Sequence, residues 1–305
     1  MRAAVISGPG TSPQAIERFQ SQPGITWSNG LPAVSSDADA ILIFGGDGTI
    51  HRHLAQLVKL QLPVLVVPCG SGNDFARALN LRSIHDAVRA WKNFQSGRGS
   101  VRVIDLGIIR DLTNDPGNAC DVSRYFCCVA CVGLDAEVAR RANRLPRWLR
   151  AHGGYALSLP SVLWSFKSFA AKFTNSEVGV SSDVTRTKLM LAAFANTPAY
   201  GHGAKIAPRA ELDDGKLDVC TVRAMGKMHL LSVFPSVYLG RHLSLPQVKY
   251  FQTENLRMET EIPMDVYADG EYVCQTPIEI SVERKALRVI VPRLNCRVSD
   301  REASA

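Results

Sequence analysis

The chain has 305 residues, 46% of them hydrophobic and 21% charged, enough apolar mass to fill one large or two ordinary globular domains. Lys+Arg of 35 against Asp+Glu of 28 gives a formal net charge of +7, which favours anionic partners such as nucleotides, nucleic acid or an acidic membrane surface. Eight cysteines without the dense spacing of a small secreted scaffold exclude a disulfide framework and point to reduced core thiols.

The N-terminal apolar run is too short for a signal peptide, and reads instead as a strand over residues 3–6. The turn Ser7 to Thr11 and a helix near Pro13 to Gln20 follow. Asp39 to Phe44 with a helix over His51 to Leu60 repeats this order, and Pro63 to Pro68 with Asn73 to Leu79 repeats it again. Such alternation argues for a parallel sheet with crossover helices, whose ligand loops gather at the carboxyl ends of the strands.

Two of those strand ends are glycine-rich. Ile41 to Ile50 runs from four apolar residues into Gly45, Gly46 and Gly48 around Asp47. Glycine permits tight turns and lets a backbone approach a ligand closely, so exposed amides here suit phosphate oxygens. Asp47 is compatible with phosphate only if a cation bridges them or it takes a proton. The alternative is a plain strand-to-helix turn with Asp47 as an N-cap. The second loop, Pro68 to Arg77 (PCGSGNDFAR), joins glycines, a hydroxyl, an amide, an acid and an arginine at the next strand end. The two loops are expected to face one crevice.

A boundary is expected at Gln95 to Ser100, after which the texture becomes β-rich. Val101 to Ile109, Tyr125 to Val132, Lys188 to Ala195, Lys216 to Val222, Asn255 to Met258, Ile278 to Val282 and Leu287 to Val291 read as short strands of an antiparallel, sandwich-like second domain. Cys127, Cys128 and Cys131 alternate with Val129 and Val132 as in a buried strand, a pattern that outweighs a metal cluster. A helical interruption over Leu134 to Phe173 carries Arg140, Arg141, Arg144, Arg147 and Arg150 among Leu145, Trp148 and Leu149, either a solvated helix face or a surface for anionic lipid. Pro160, Lys167 and Lys172 break its apolar part, so no spanning helix is expected. Asp213-Asp214-Gly215 and Asp269-Gly270-Glu271 are both explained by hairpin turns, but Glu271 is not required by its turn and is the better functional candidate.

Taken in order, GGDGT at 45–49, PCGSGNDFAR at 68–77, CVGLDAEVA at 131–139, NTPAYGHGAKIAPRAELDDGKLDV at 196–219 and DGE at 269–271 resemble the diacylglycerol kinase and sphingosine kinase family, especially its bacterial lipid kinases. GGDGT alone is shared with NAD kinases; its combination with PCGSGNDFAR is specific. The resemblance implies an α/β nucleotide domain, a parallel sheet with flanking helices, over residues 1–98, to which 292–305 return. It also implies a β-sandwich-like lipid domain over 99–291, with ATP in the cleft between the two.

The resemblance assigns roles as well. Gly45, Gly46, Asp47, Gly48 and Thr49, with Gly70, Ser71, Gly72, Asn73 and Asp74, would bind the ATP phosphates. Asp47, Asp74, Asp105 and Asp214 match acids linked through Mg²⁺ and water, with the backbone carbonyls of Glu211 and Lys216 completing a metal site at Asp214. Glu271 of the Asp269-Gly270-Glu271 turn matches the proton acceptor of the bacterial members, and Asp47 matches that of the sphingosine kinase branch; both are carried as catalytic candidates, with Asp269. Asp135 matches a region that contacts the lipid headgroup.

The implied activity is ATP-dependent transfer of a γ-phosphate to a lipid hydroxyl, on a diacylglycerol-like lipid or a long-chain base, by a cytoplasmic protein peripheral at the membrane. Nucleic acid is not an expected partner, and a homodimer is left open. The alternative is a nucleotide-binding, membrane-associated regulatory protein without turnover, and NAD kinase is a weaker third reading. The first loop, Ser7-Gly8-Pro9-Gly10-Thr11, departs from the family's Asn-Pro start, the stretch from Thr26 to Ile41 is short, and His202 stands where glycine is common.

Overall fold

The computed structural model describes residues 1–21, 24–113, 124–145, 154–174, 187–201 and 203–293. The readings of Arg147, Trp148, Leu149, Arg150 and His202, and of the return beyond residue 293, lie outside them.

The first half is built on strands β1 (Arg2–Ser7), β2 (Thr26–Asn29), β3 (Ala40–Gly45) and β4 (Val64–Pro68), all parallel, with β3 between β1 and β4. Ile41 to Phe44 are fully buried, as a continuous apolar run requires in a sheet covered on both faces. Helix α1 (Pro13–Gln20) starts at Ser12, whose hydroxyl accepts from Ala15 N, with proline in its first turn.

The helix expected at His51 to Leu60 is divided. α2 (Asp47–His51) starts inside the glycine loop, and α3 (Leu54–Leu60) follows a tight turn in which His53 N–H donates to the Ile50 carbonyl at 2.9 Å. α4 (Asp74–Ala78) and α5 (Ile84–Gln95) complete this half. α5 buries Ala87, Ala90 and Trp91, a spacing of three and four that forms one helix face.

Strand β5 (Ser100–Asp111) opens the second half, which continues through β6 (Arg124–Phe126), β7 (Val129–Gly133) and α6 (Leu134–Asn143). The interruption expected as far as Phe173 is shorter. A second helix, Gly154–Ser165, ends it, and Phe169–Thr174 is strand β8, paired antiparallel with β9 (Thr187–Ala195). Phe169 and Ala171 are buried while Ala170 and Lys172 are less so, the period of a half-buried strand. β10 (Leu217–Arg223), β11 (Val248–Thr253), β12 (Asn255–Thr260), the hairpin β13 (Asp265–Ala268) with β14 (Glu271–Gln275), and β15 (Ile278–Val291) add to it. The result is an α/β nucleotide-type half followed by an antiparallel, sandwich-like half; one buried apolar cluster fills the first half and extends into the second, and another lies within the second half.

The 14-residue β15 runs through both halves. Ile278 to Ser281 pair with β12, and Val289 pairs parallel with Val64 of β4. β5 accompanies it antiparallel along its length, with an irregularity between Glu283 and Leu287 where Lys285 adopts φ +56°. Asp105, almost fully buried, holds that kink. Its carboxylate accepts from Lys285 N and from Gly215 N, both at 2.7 Å.

Candidate functional site

The two glycine loops touch backbone to backbone. A Cβ on Gly70 would lie 2.3 Å from Gly46 Cα, so neither strand end tolerates a side chain there. Asn73, with φ +54°, fixes the second loop from inside: its Oδ1 accepts from Gly70 N at 2.9 Å and its Nδ2 donates to Gly70 O at 2.6 Å. Gly45 is similarly a packing position, since a Cβ would sit 2.6 Å from Thr49 Oγ1. The departing first loop joins this wall through Gly8, whose N–H donates to the Phe44 carbonyl at 2.7 Å, and through Pro9 and Gly10.

Asp47 does not cap its own helix. Its carboxylate crosses to the second loop and accepts from Asp74 N at 2.9 Å and Phe75 N at 3.0 Å, the free amides at the start of α4. Burial and the nearby Asp74 charge push the Asp47 carboxyl up to about 6, against those two bonds. Asp74 is itself paired with Arg77.

The Asp269-Gly270 turn lies across from these loops. Both residues have positive φ, +51° and +85°, as a tight hairpin turn demands. The Asp269 side chain is wholly buried and accepts from Cys127 N at 2.9 Å, Cys128 N at 2.8 Å and Val129 N at 3.3 Å, tying the hairpin to the start of β7. It also meets His51 Nδ1 at 3.1 Å. Burial opposes charge on the His51 ring, but the hydrogen bond to Asp269 and the charges of Asp269 and Glu271 raise its pKa above the ordinary value. Asn143 holds the other side of the turn, donating to Gly270 O at 2.7 Å. Glu271 is thereby brought over Gly48: its Oε1 lies 2.7 Å from the position a Gly48 Cβ would take.

Glycine loops and hairpin share one cavity of about 670 Å³. Gly46, Asp47, Gly48, Thr49, Ser71 and Gly72 line one end, with Glu271 over Gly48. The other end is apolar, with Leu134, Val138, Leu159, Leu163, Met190 and Phe234. Asp135 also lies on its wall. Among the described residues its buried Oδ2 has no hydrogen-bond partner, and burial pushes its carboxyl up to about 7.

Of the residues singled out in the sequence, Asp105 and Asp214 are brought to each other rather than to this cavity. Asp105 bonds Gly215 N beside Asp214. Asp214 is exposed, accepting from Lys216 N at 3.0 Å and Gln252 Nε2 at 3.1 Å. The buried carboxyl of Asp218 is raised by burial and, more weakly, by the charges of Asp214 and Glu211, while Tyr250 and Gln252 donate to it. Cys127 and Cys128 approach Asp269, with the two sulfurs 3.9 Å apart. Burial pushes the Cys127 thiol well up and that of Cys128 to about 12, which keeps both as neutral core thiols.

His51 and Asn143 were not found in the sequence. Each acts through a partner more than a hundred residues away, at 269 and 270. The only local signal was for His51, which lies one helical turn beyond Asp47.

The comparisons with known proteins give the family. Residues 30–109 match the model of the diacylglycerol kinase catalytic domain, and residues 128–291 match the YegS C-terminal NAD kinase beta sandwich-like domain. The diacylglycerol kinase of Mycobacterium tuberculosis (strain CDC 1551 / Oshkosh) is 32% identical over 86% of this chain and 79% of its own. That of Bacillus subtilis (strain 168) is 25% identical over 92% and 90%. In fold, a diacylglycerol kinase structure from Bacillus anthracis str. Sterne superposes with a TM-score of 0.65 at 17% identity, covering 95% of this chain and 96% of that one. The family matches define a kinase, a phosphotransferase built from an α/β nucleotide half and a sandwich-like half. The chain belongs to the diacylglycerol kinase family.

Proposed function

We propose that the protein is an ATP-dependent lipid kinase that transfers the γ-phosphate to a hydroxyl of a diacylglycerol-like lipid or a long-chain base. The observation that carries this reading is the position of Glu271, over Gly48 of the first glycine loop and at the head of a cavity whose far end is apolar. ATP phosphates lie against the Gly46–Thr49 and Gly70–Gly72 backbone, and the acyl chains lie among Leu134, Val138, Leu159 and Leu163. Residues 1–98 then serve the nucleotide and 99–291 the lipid, with β5 and β15 shared.

Glu271 takes the proton of the lipid hydroxyl. That oxygen forms a bond to the γ-phosphorus, the bond from phosphorus to the bridging oxygen breaks, and ADP leaves with the electron pair. Asp47 is the weaker base, because both its oxygens are already held by backbone N–H groups. Asp269 acts by positioning, since its carboxylate is taken up by β7 and His51. Asp135, with an unpartnered oxygen on the cavity wall, receives a hydroxyl of the lipid headgroup.

Mg²⁺ bound with the nucleotide supplies charge neutralisation at the transferred phosphoryl group. The carboxyls of Asp47 and Asp74 are close enough for one to raise the other, and are suited to holding it directly or through water. A second cation would be held at Asp214 with the carbonyls of Glu211 and Lys216, where it stabilises the turn that Asp105 clamps.

Incubation with labelled ATP, Mg²⁺ and a panel of lipid hydroxyls tests the reading. Labelled lipid is expected, and Glu271→Gln is expected to lower kcat by roughly 10²–10⁴-fold, the usual worth of a general base. No labelled lipid across the panel, despite nucleotide binding, would overturn the kinase reading. Full activity of Glu271→Gln would overturn the choice of base.

A further inference from the structure

We propose that the open end of the apolar cavity is a bilayer-docking face, specific for membranes that contain anionic lipid, through which the lipid enters. The entry of substrate rests on the lipid-kinase reading above; the docking face does not.

The observation is a cluster of large apolar side chains left in water at one place. Trp164 is 71% exposed, Met228 68% and Leu239 65%, with Leu231 and Tyr238 also exposed. Trp164 ends the helix Gly154–Ser165, and Lys227, which opens the helix Lys227–Val233, donates to the Trp164 carbonyl and sits 5.8 Å from its ring. Met228 and Leu231 share a face of that second helix, one turn apart. Phe234 then packs edge-on against Tyr238 at 5.9 Å, next to Leu239. Leu231 and Tyr238 also line the cavity, so the exposed rim and the apolar interior are one continuous surface. Isolated exposed apolar residues need no explanation, but a contiguous patch that opens into an apolar cavity does.

Charge selects the partner. Residues 154–174 and 224–253 supply the rim, and neither stretch contains an aspartate or glutamate, whereas the chain average would put about five there. They carry Lys167, Lys172, Lys227, Arg241 and Lys249, of which Lys167, Arg241 and Lys249 are exposed. An apolar rim with an interfacial Trp and Tyr, built from stretches without Asp or Glu and bordered by cations of which Lys172 is paired with Glu259, matches the acyl boundary and anionic headgroups of a bilayer. Of the arginine-bearing stretch after Leu134, Arg140 is paired with Glu137 at 2.6 Å and so offers less charge to an anionic surface.

The test is co-sedimentation of the full chain with vesicles, without ATP, comparing phosphatidylcholine alone with phosphatidylcholine containing a third phosphatidylglycerol. Wild type is expected to bind the anionic vesicles at least tenfold more tightly, and to lose that advantage as salt is raised. The triple variant Trp164→Gln, Met228→Gln, Leu239→Gln changes exposed residues that are not part of the cavity wall. It is expected to bind anionic vesicles at least tenfold more weakly, with an unchanged melting temperature. Its turnover on a short-chain diacylglycerol presented as monomers is expected to stay within twofold of wild type.

Equal vesicle binding by variant and wild type would overturn the proposal, as would no binding by wild type at low salt. A wild-type dimer that the triple variant abolishes, without vesicle binding, would assign the face to a second copy of the chain and overturn it too. Loss of vesicle binding in a protein with no turnover on any lipid would leave the docking face standing and remove only the kinase reading.

Discussion

Gly48 is the residue at which the two halves of the proposed reaction meet. Any side chain there collides with Glu271, because the carboxylate oxygen already occupies the Cβ position to within 2.7 Å. Gly48→Ala is therefore expected to push Glu271 off its station and lower kcat by at least tenfold, while the KM for ATP changes little. Steady-state kinetics with ATP varied would read this, and a lower affinity with unchanged kcat would count against Glu271 as the base. Asp135 makes a pH prediction. Burial raises its carboxyl from 3.8 to about 7, so between those values the folded chain holds a proton that the unfolded chain has released. Stability from this group is therefore intact near pH 4, falls as pH rises, and is fully lost above pH 7. Asp47, raised to about 6, acts in the same direction. Asp135→Asn is expected to raise the melting temperature at pH 8 by about 2–4 °C, the effect of roughly 1 kcal/mol in a chain of this size, and to leave it unchanged at pH 4. Equal shifts at both pH values would show that the acid is not ionising against its burial.

The element on which the site most depends is the β13–β14 hairpin, and Asp269 is its anchor. Asp269→Asn replaces one acceptor oxygen with a donor, leaving a buried N–H of Cys127 or Cys128 unpaired at a cost of roughly 1–3 kcal/mol. Lower thermal stability together with reduced kcat is expected, because the same anchor aims Glu271. Loss of stability with full kcat would separate the two. The sequence made the parallel elements and both glycine loops legible, because their apolar runs and Gly45, Gly46, Gly48, Gly70 and Gly72 report on local backbone demands. Glu271 stood out because the Asp-Gly turn did not need it. The division of α2 from α3 was not legible, since the apolar spacing at residues 50–60 continues across the break. Nor was strand β8, where Phe169 to Phe173 reads as the tail of a helix until β9 and β12 lie beside it. The partners of Asp105 and Asp269 were hidden for a different reason. Both bind backbone N–H groups, which every residue but proline carries, so no residue type marks them.

At the scale of the whole molecule, the nucleotide half is not finished by its own residues. The strand that covers β4 is the far end of β15, which pairs Val289 with Val64 only after the sandwich-like half has been traversed. During synthesis from the N-terminus, β4 therefore waits with an open edge for more than two hundred residues, a row of unpaired backbone groups beside the apolar Val64 to Val67. A chain that stops at residue 283 keeps every proposed catalytic side chain and both glycine loops, yet is expected to be recovered mainly as aggregate, as ultracentrifugation of lysate fractions would reveal. Supplying residues 278–291 as a separate peptide is expected to restore part of the soluble fraction. The α/β half thus acquires its last strand from the sandwich-like half, so on the proposed reading the chain cannot release a finished ATP site ahead of a finished lipid site.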